Sequence, residues 1–284
     1  MGVRMSSDLI MEAFALRRQP FTLDIDVEGF YPSQSFQQGL LRLEQVARTR
    51  GGALVVGESG VGKTALFRAL LRRLMPSAHQ ILEQLVQASG VQPFRAVVEG
   101  LLSQIGEPLP FNNSARALAR LKRGLQEIAE KQRTPVVMLD DVQHFSVTCW
   151  LTLKSLLNYE MDSKLLLLLI CLGSPRTLRL LGMSPLEEIR DRFSFCYYLK
   201  GLQEKEVGPY LEHRLKWAGA TRPLFPEDII TEIARHSQGI PRRVNRLANA
   251  CPLAAASQNK QLVDRPCLEA ALSELQFQPP REEE

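Results

Sequence analysis

The sequence has little of what marks a secreted, membrane-spanning or metal-binding chain. It holds only 5 cysteines in 284 residues: Cys149, Cys171, Cys196, Cys251 and Cys267. They are odd in number, widely spaced and mostly set in apolar stretches, so they read as buried thiols and not as a disulfide frame. The 4 histidines, His79, His144, His213 and His236, never fall within ligand spacing of a cysteine pair, which argues against zinc. The longest apolar run, Leu165 to Leu172, is far shorter than the roughly 20 residues a membrane-spanning helix needs. The amino terminus lacks the apolar core and small residues of a signal peptide. These absences lead us to expect a cytoplasmic protein without membrane contact.

Charge of one sign is lacking too. Lys and Arg number 35 against 31 Asp and Glu, a formal charge of +4, and the chain ends on Glu282, Glu283 and Glu284. A mildly basic body permits nucleic acid as a partner, and solvated helix faces account for it equally well. A composition 45% hydrophobic and 23% charged excludes disorder and fibrous folds.

Short, continuously apolar segments alternate with helical periodicity through the first two thirds of the chain. The strand signals are Ala53–Val56, His79–Val86, Pro135–Leu139, Leu165–Leu172 and Phe193–Leu199, with His79–Val86 the weakest pattern. Strands apolar on both faces belong to parallel sheets covered by helices, so residues 53–201 predict an α/β domain. Helices are predicted over Gln34–Thr49, Lys63–Leu74, Pro93–Ile105, Ser114–Lys131 and Cys149–Tyr159, after a short one at Leu9–Leu16. From Gln203 on only helices are predicted: Glu204–Trp217, Pro226–Ser237, Pro241–Ala256 and Asp264–Leu275, three of them with Pro or Asp in the first turn. Residues 202–276 therefore predict a small all-helical domain and residues 277–284 a disordered acidic tail. Residues 1–52 are expected to form an N-terminal segment packed on the α/β core.

Gly57, Glu58, Ser59, Gly60, Val61, Gly62, Lys63 and Thr64 spell the phosphate-binding pattern G-x-x-x-x-G-K-[ST], between a predicted strand and a predicted helix. Such a loop turns backbone N–H groups toward the β-phosphate of ATP. Lys63 is placed for the β- and γ-phosphates and the Thr64 hydroxyl for Mg2+. A second carboxylate site is then required at the end of a neighbouring parallel strand. Asp140 and Asp141, after Pro135–Leu139, meet that requirement: Asp140 as the Mg2+ partner and Asp141 as the base that orients water. His144, just beyond, reads either as a neighbour of the nucleotide or as a surface histidine.

The phosphate loop, the Asp140-Asp141 strand end, Gly173-Ser174-Pro175 and Gly239-Ile240-Pro241-Arg242-Arg243 together resemble an AAA+ ATPase. The resemblance implies an α/β P-loop NTPase fold, a parallel central sheet flanked by helices and followed by a small all-helical lid. Pro20-Phe21, Phe30-Tyr31-Pro32-Ser33, Arg190-Asp191-Arg192-Phe193 and Ser237 to Asn245 are similar to the ExeA-type branch, which includes transposition regulators of the TniB, TnsC and MuB kind. It implies that Ser174 holds the sensor-1 position, although serine is short for that task and a strand-end role fits it as well. Arg192, with Arg190 as its rival, would be the finger entering a neighbouring subunit's site. Arg242 would be the sensor-2 arginine, and Phe30 and Tyr31 would sit near the adenine or else in ordinary core. The family usually carries Asp-Glu where this chain has Asp140-Asp141, one methylene shorter, so slow ATP hydrolysis is expected.

Two uses follow from the resemblance. Secretion-associated relatives continue into a membrane helix and an envelope-binding domain, and neither follows the helical region here. The expected function is therefore regulation of DNA transposition: a homo-oligomeric ring or filament on duplex DNA, without sequence preference, that recruits a transposase and possibly a target-selection protein. Arg116, Arg120, Lys122 and Arg123, or Arg68, Arg72 and Arg73, would supply the phosphate contacts, unless they are merely solvated faces. The alternatives are a secretion-type ATPase acting with a membrane partner and an interaction module that nucleotide merely stabilises.

Overall fold

A computed structural model of the chain describes residues 6–22, 25–85, 94–107, 114–157, 166–258 and 260–275. They fall into two compact units. One comprises Phe36–Ser59 and Lys63–Leu199; the other comprises the described residues up to Ser35, the loop residues Gly60–Gly62, and the chain from Lys200 onward.

The first is an α/β unit around five parallel strands: β1 (Gly51–Val56), β2 (His79–Leu85), β3 (Thr134–Asp140), β4 (Leu168–Gly173) and β5 (Phe193–Tyr198), in the order β2-β3-β4-β1-β5. Every residue of β1, β3 and β4 is buried, the burial that their unbroken apolar runs demand. The weakest strand signal is real: β2 pairs with β3 from His79 opposite Thr134 to Leu85 opposite Asp140. Val86 and Leu165, also expected in strands, lie outside the described residues.

Helices cover the sheet. They are α2 (Gln34–Thr49), α3 (Lys63–Leu71), α4 (Phe94–Gln104), α5 (Ser114–Glu130), α6 (Val147–Leu157), α7 (Arg176–Leu181) and the single turn α8 (Glu187–Arg190). Val97, Leu101, Leu121, Leu125, Trp150 and Leu153 join Leu54, Val137, Leu139 and Leu169 in one core. Fully burying each such leucine or valine contributes roughly 1.5–3 kcal/mol. The chain turns from α2 into β1 through Arg50 at φ 63° and Gly51 at φ 111°.

Two expectations are corrected here. β3 is not the direct neighbour of β1, because β4 lies between them. Strand order is set by long-range pairing, to which the apolar runs are blind. Cys196 is exposed, unlike Cys149, Cys171, Cys251 and Cys267, which are buried. It sits on edge strand β5, where half-buried and exposed residues alternate, so its side chain falls on the open face.

The second unit is helical: α1 (Ser6–Ala13), α9 (Glu204–Trp217), α10 (Glu227–Ser237), α11 (Pro241–Ser257) and α12 (Arg265–Glu274). Val207, Leu211, Ile233, Val244, Leu247 and Cys251 form its core. Helix starts follow their punctuation. Pro241 opens α11, and the Asp264 carboxylate caps α12 by accepting from the Cys267 N–H at 3.2 Å. α1 starts at Ser6 and stops at Ala13, both earlier than expected, and its early stop follows from Ala15, whose φ of 51° takes the chain out of helix before Pro20. Between α10 and α11, Gln238 and Gly239 are both left-handed, at φ 54° and 68°. A side chain at Gly239 would also stand 2.0 Å from the Leu202 carbonyl oxygen, so only glycine fits there.

The Pro20-Phe21 segment is tied in by buried polar groups. Arg214 donates to the carbonyls of Pro20 at 2.6 Å and Thr22 at 2.9 Å, and Asn249 donates to that of Phe21 at 3.1 Å. The expected acidic tail, 277–284, lies outside the described residues.

Candidate nucleotide site

The phosphate loop leaves the end of β1, where the Gly57 N–H donates to the Gly173 carbonyl at 3.1 Å. Gly60 and Gly62 adopt φ 82° and 108°, conformations that let consecutive amides face inward and that side chains resist. Val61 is buried while Glu58 and Ser59 are exposed, so the loop is anchored by its apolar member. Lys63 opens α3 and folds back over the loop, its Nζ donating to the carbonyls of Gly57 at 2.9 Å and Glu58 at 3.2 Å. That places an ammonium group where backbone amides and a helix N-terminus already favour anions.

Thr64 Oγ1 donates to Asp140 Oδ2 at 2.8 Å, spanning the intervening strand β4. The other oxygen of Asp140 accepts the Asp141 N–H at 2.8 Å. Burial pushes the Asp140 carboxyl above its usual range, against the pull of those two hydrogen bonds and of Lys63. A buried carboxylate held in this way gains from a cation beside it. Among the described residues there is no cluster of three or more His, Cys, Asp or Glu able to hold a metal by itself. One hydroxyl and one carboxylate suit Mg2+, which takes few protein ligands and fills its remaining positions with water and phosphate oxygens. The residues therefore fit Mg2+ and ATP.

Asp141 follows β3 in the left-handed conformation, φ 55° and ψ 38°, at the head of a 3-10 turn over Val142–His144. That conformation is strained for any residue with a Cβ, although Asp tolerates it better than most. The carboxylate of Asp141 accepts from Gln143 Nε2 at 3.0 Å, and Gln143 Oε1 in turn accepts the Ser174 N–H at 2.9 Å. Ser174 lies at the end of β4, and its Oγ is buried without a hydrogen-bond partner. Sequence reasoning missed Gln143, since a glutamine two residues past a carboxylate carries no spacing signal. His144 is half-buried on the same turn.

The remaining expected residues are spread more widely. Arg192 precedes β5, whose Phe193 pairs with Gly52 at the start of β1. It thus stands at the end of the sheet opposite the phosphate loop, on the order of 20 Å away along six residues of strand. Its rival Arg190 is exposed and pairs with Glu187 at 3.4 Å and Asp191 at 3.8 Å. In the helical unit, the Arg242 N–H donates to the Gly60 carbonyl at 3.2 Å, and its side chain fills the space a Cβ on Gly60 would need.

Tyr31 stacks edge-on against Tyr210 and His213 of α9, at 5.8 and 5.7 Å between ring centres. Phe30 is half-buried beside it. Neither basic stripe is wholly open. Arg120 and Arg123 reach Glu107 at 3.3 and 3.8 Å, Arg123 also pairs with Glu127 at 3.5 Å, and Arg73 pairs with Glu44. No helix among the described residues is long and apolar enough to cross a membrane.

Residues 46–181 match the family model described as AAA domain. The chain is 28% identical over 253 residues to General secretion pathway protein A of Aeromonas hydrophila, a match covering 88% of this chain. It spans only 45% of that relative's length. Among solved structures it is similar to the Aeropyrum pernix ORC1 protein in complex with DNA, with a TM-score of 0.70 and 19% identity over 92% of this chain and 70% of that one. The Cdc6p of Pyrobaculum aerophilum gives 0.70 and 18% over 90% and 70%. The RuvB Holliday junction branch migration motor of Thermotoga maritima gives 0.56 and 18% over 85% and 68%. At these identities the structures speak for the fold alone. Five parallel strands, a glycine loop under Lys63 and a Thr64–Asp140 pair, on a chain whose residues 46–181 match an AAA domain, give it a P-loop NTPase fold with a site whose residues fit ATP and Mg2+.

Proposed function

We propose that the protein is a slow, nucleotide-driven switch that works as a homo-oligomer, each site completed by a second copy. The position of Arg192 carries this reading. It is too far from its own phosphate loop to touch the same ATP, and an arginine's planar fork of donors suits the transition-state charge of a neighbour's. Bound Mg2+ would neutralise developing charge on the phosphate oxygens. Lys63 would swing from the loop carbonyls to the β- and γ-phosphates, and Thr64 with Asp140 would hold the metal. Asp141 would orient the attacking water, its short arm limiting the rate. Ser174 would turn its unpartnered hydroxyl to the γ-phosphate, Arg242 would report phosphate to the helical unit, and Phe30 with Tyr31 would border the adenine.

The switch would act on duplex DNA and direct a transposase there, as the resemblance of its sequence motifs to transposition regulators implies, with Arg116, Arg120, Lys122 and Arg123, or Arg68, Arg72 and Arg73, supplying the phosphate contacts. A second reading has its own support. Similarity to General secretion pathway protein A along 88% of the chain favours a secretion-type ATPase acting with a membrane partner.

Mixing variants tests the oligomer. Arg192→Ala lacks the finger and Asp141→Asn lacks the base, so each alone should be nearly inactive. Their mixture should regain ATP hydrolysis; a mixture no better than its parts refutes a shared site. Electron microscopy with duplex DNA at low salt then separates the two uses. Rings or filaments on DNA only with a slowly hydrolysed ATP analogue support the DNA reading, and oligomers that ignore DNA turn it toward secretion. Lys63→Ala should weaken ATP binding about 100-fold, since hydrogen bonds to charged groups contribute roughly 1.5–3 kcal/mol.

A further inference from the structure

Gln143 lies between the two groups that the proposed hydrolysis needs most closely aligned. Its amide orientation is fixed by chemistry: the Ser174 N–H can only donate, so the carbonyl oxygen of Gln143 must face it, and the NH2 must face Asp141. Asp141 needs such a holder. It is exposed and left-handed, with a single methylene between backbone and carboxylate, so a small drift of its carboxylate takes it out of reach of the attacking water.

We propose that Gln143 is a positioning residue, coupling the Asp141 carboxylate at the end of β3 to the Ser174 backbone at the end of β4. The inference rests on the reading of Asp141 as the base. Gln143 acts through the two residues it bridges. A γ-phosphate felt at Ser174 is thereby transmitted to the water-orienting carboxylate through one side chain.

Two substitutions take the bridge apart one hydrogen bond at a time. Gln143→Glu keeps the acceptor for the Ser174 N–H and removes the donor to Asp141. It should leave the affinity for a fluorescent ATP analogue within twofold, leave KM unchanged and lower kcat at least tenfold, since a misplacement of about 1 Å is worth up to 100-fold. Gln143→Leu removes both bonds and should in addition speed hydrogen exchange at the Ser174 amide at least tenfold, with the amides of Leu169 to Leu172 unchanged. In an Asp141→Asn background, Gln143→Glu should add less than a further twofold, because its effect runs through the missing carboxylate. A Gln143→Glu protein at full kcat, or a Gln143→Leu protein with native Ser174 exchange, overturns the proposal. If Asp141→Asn itself turns over at the normal rate, the base assignment falls, and the exchange measurement still reports whether the bridge exists.

Discussion

In the helical unit Arg214, only 4% exposed, spends its donors on the carbonyls of Pro20 and Thr22, and the buried Tyr210 hydroxyl donates to Asn245 at 2.6 Å. In the α/β unit the hydroxyls of Ser174 and Thr177 and the indole N–H of Trp150 are buried with no partner, and Asp141 sits in a strained backbone conformation. Among the described residues of the helical unit the comparable atom is His213 Nε2, on a ring that burial holds below its usual pKa. Buried polar groups are ordinarily satisfied, and departures gather where a structure is built to meet something else. One unit is finished by its own contacts, and two of the other's departures, at Asp141 and Ser174, lie beside the phosphate loop. Substitutions in the two units should therefore move stability and turnover in opposite proportions.

The largest expected effect is at Arg214. Replacement by Met leaves two buried carbonyls without donors and should destabilise the protein by about 3 kcal/mol in denaturant titration. A loss below 1 kcal/mol would mean that the N-terminal segment is held otherwise. Asp141→Gly should do the reverse. It relieves the left-handed backbone and should add about 1 kcal/mol of stability, while turnover falls at least tenfold for want of a carboxylate. If Asp141→Gly is destabilised instead, the strain is not stored there and the contrast between the units weakens.

Much of this site was legible in the chain because its chemistry is local. Gly57 to Thr64 fix their own geometry, and Asp140-Asp141 announce themselves at the end of an apolar run. The helices from Glu204 onward came within a residue or two of their true ends, the last two punctuated by Pro241 and Asp264, whereas α1 lies three residues earlier than its pattern suggested. What escaped depends on distant partners. The insertion of β4 between β1 and β3, the exposure of Cys196 on an edge, and the pairing of Arg120 with Glu107 all require knowing which segments meet. Gln143 is the clearest case: its two bonds join residues 2 and 31 positions away, and glutamine is too common to signal either.

Ser174→Ala gives a smaller test. Removing a hydroxyl that has no partner should leave stability within about 0.5 kcal/mol, or raise it slightly, because no native hydrogen bond is lost. Turnover should nonetheless fall severalfold. A clear loss of stability with turnover intact would make Ser174 a strand-end residue and return the α/β unit to the pattern of the helical one.

The smallest effect is expected at Asp264, on the surface of the helical unit. The Cys267 hydrogen bond, followed by Lys260 at 2.6 Å, pulls its carboxyl down to about 2 from the usual 3.8. A carboxylate with a lowered folded-state pKa stabilises above its unfolded pKa and loses that contribution as pH falls through the folded one. The cap of α12 should accordingly be at full strength above about pH 4 and fade toward about pH 2. Asp264→Asn keeps an acceptor for the Cys267 N–H but cannot titrate, so its Tm deficit should shrink as pH drops through that window, whereas Asp264→Ala also loses the acceptor and should sit lower near neutrality. Because this cap is already complete, neither change should alter ATP turnover. A fall in turnover without a fall in Tm would show that the start of α12, too, keeps part of its polar surface for a ligand.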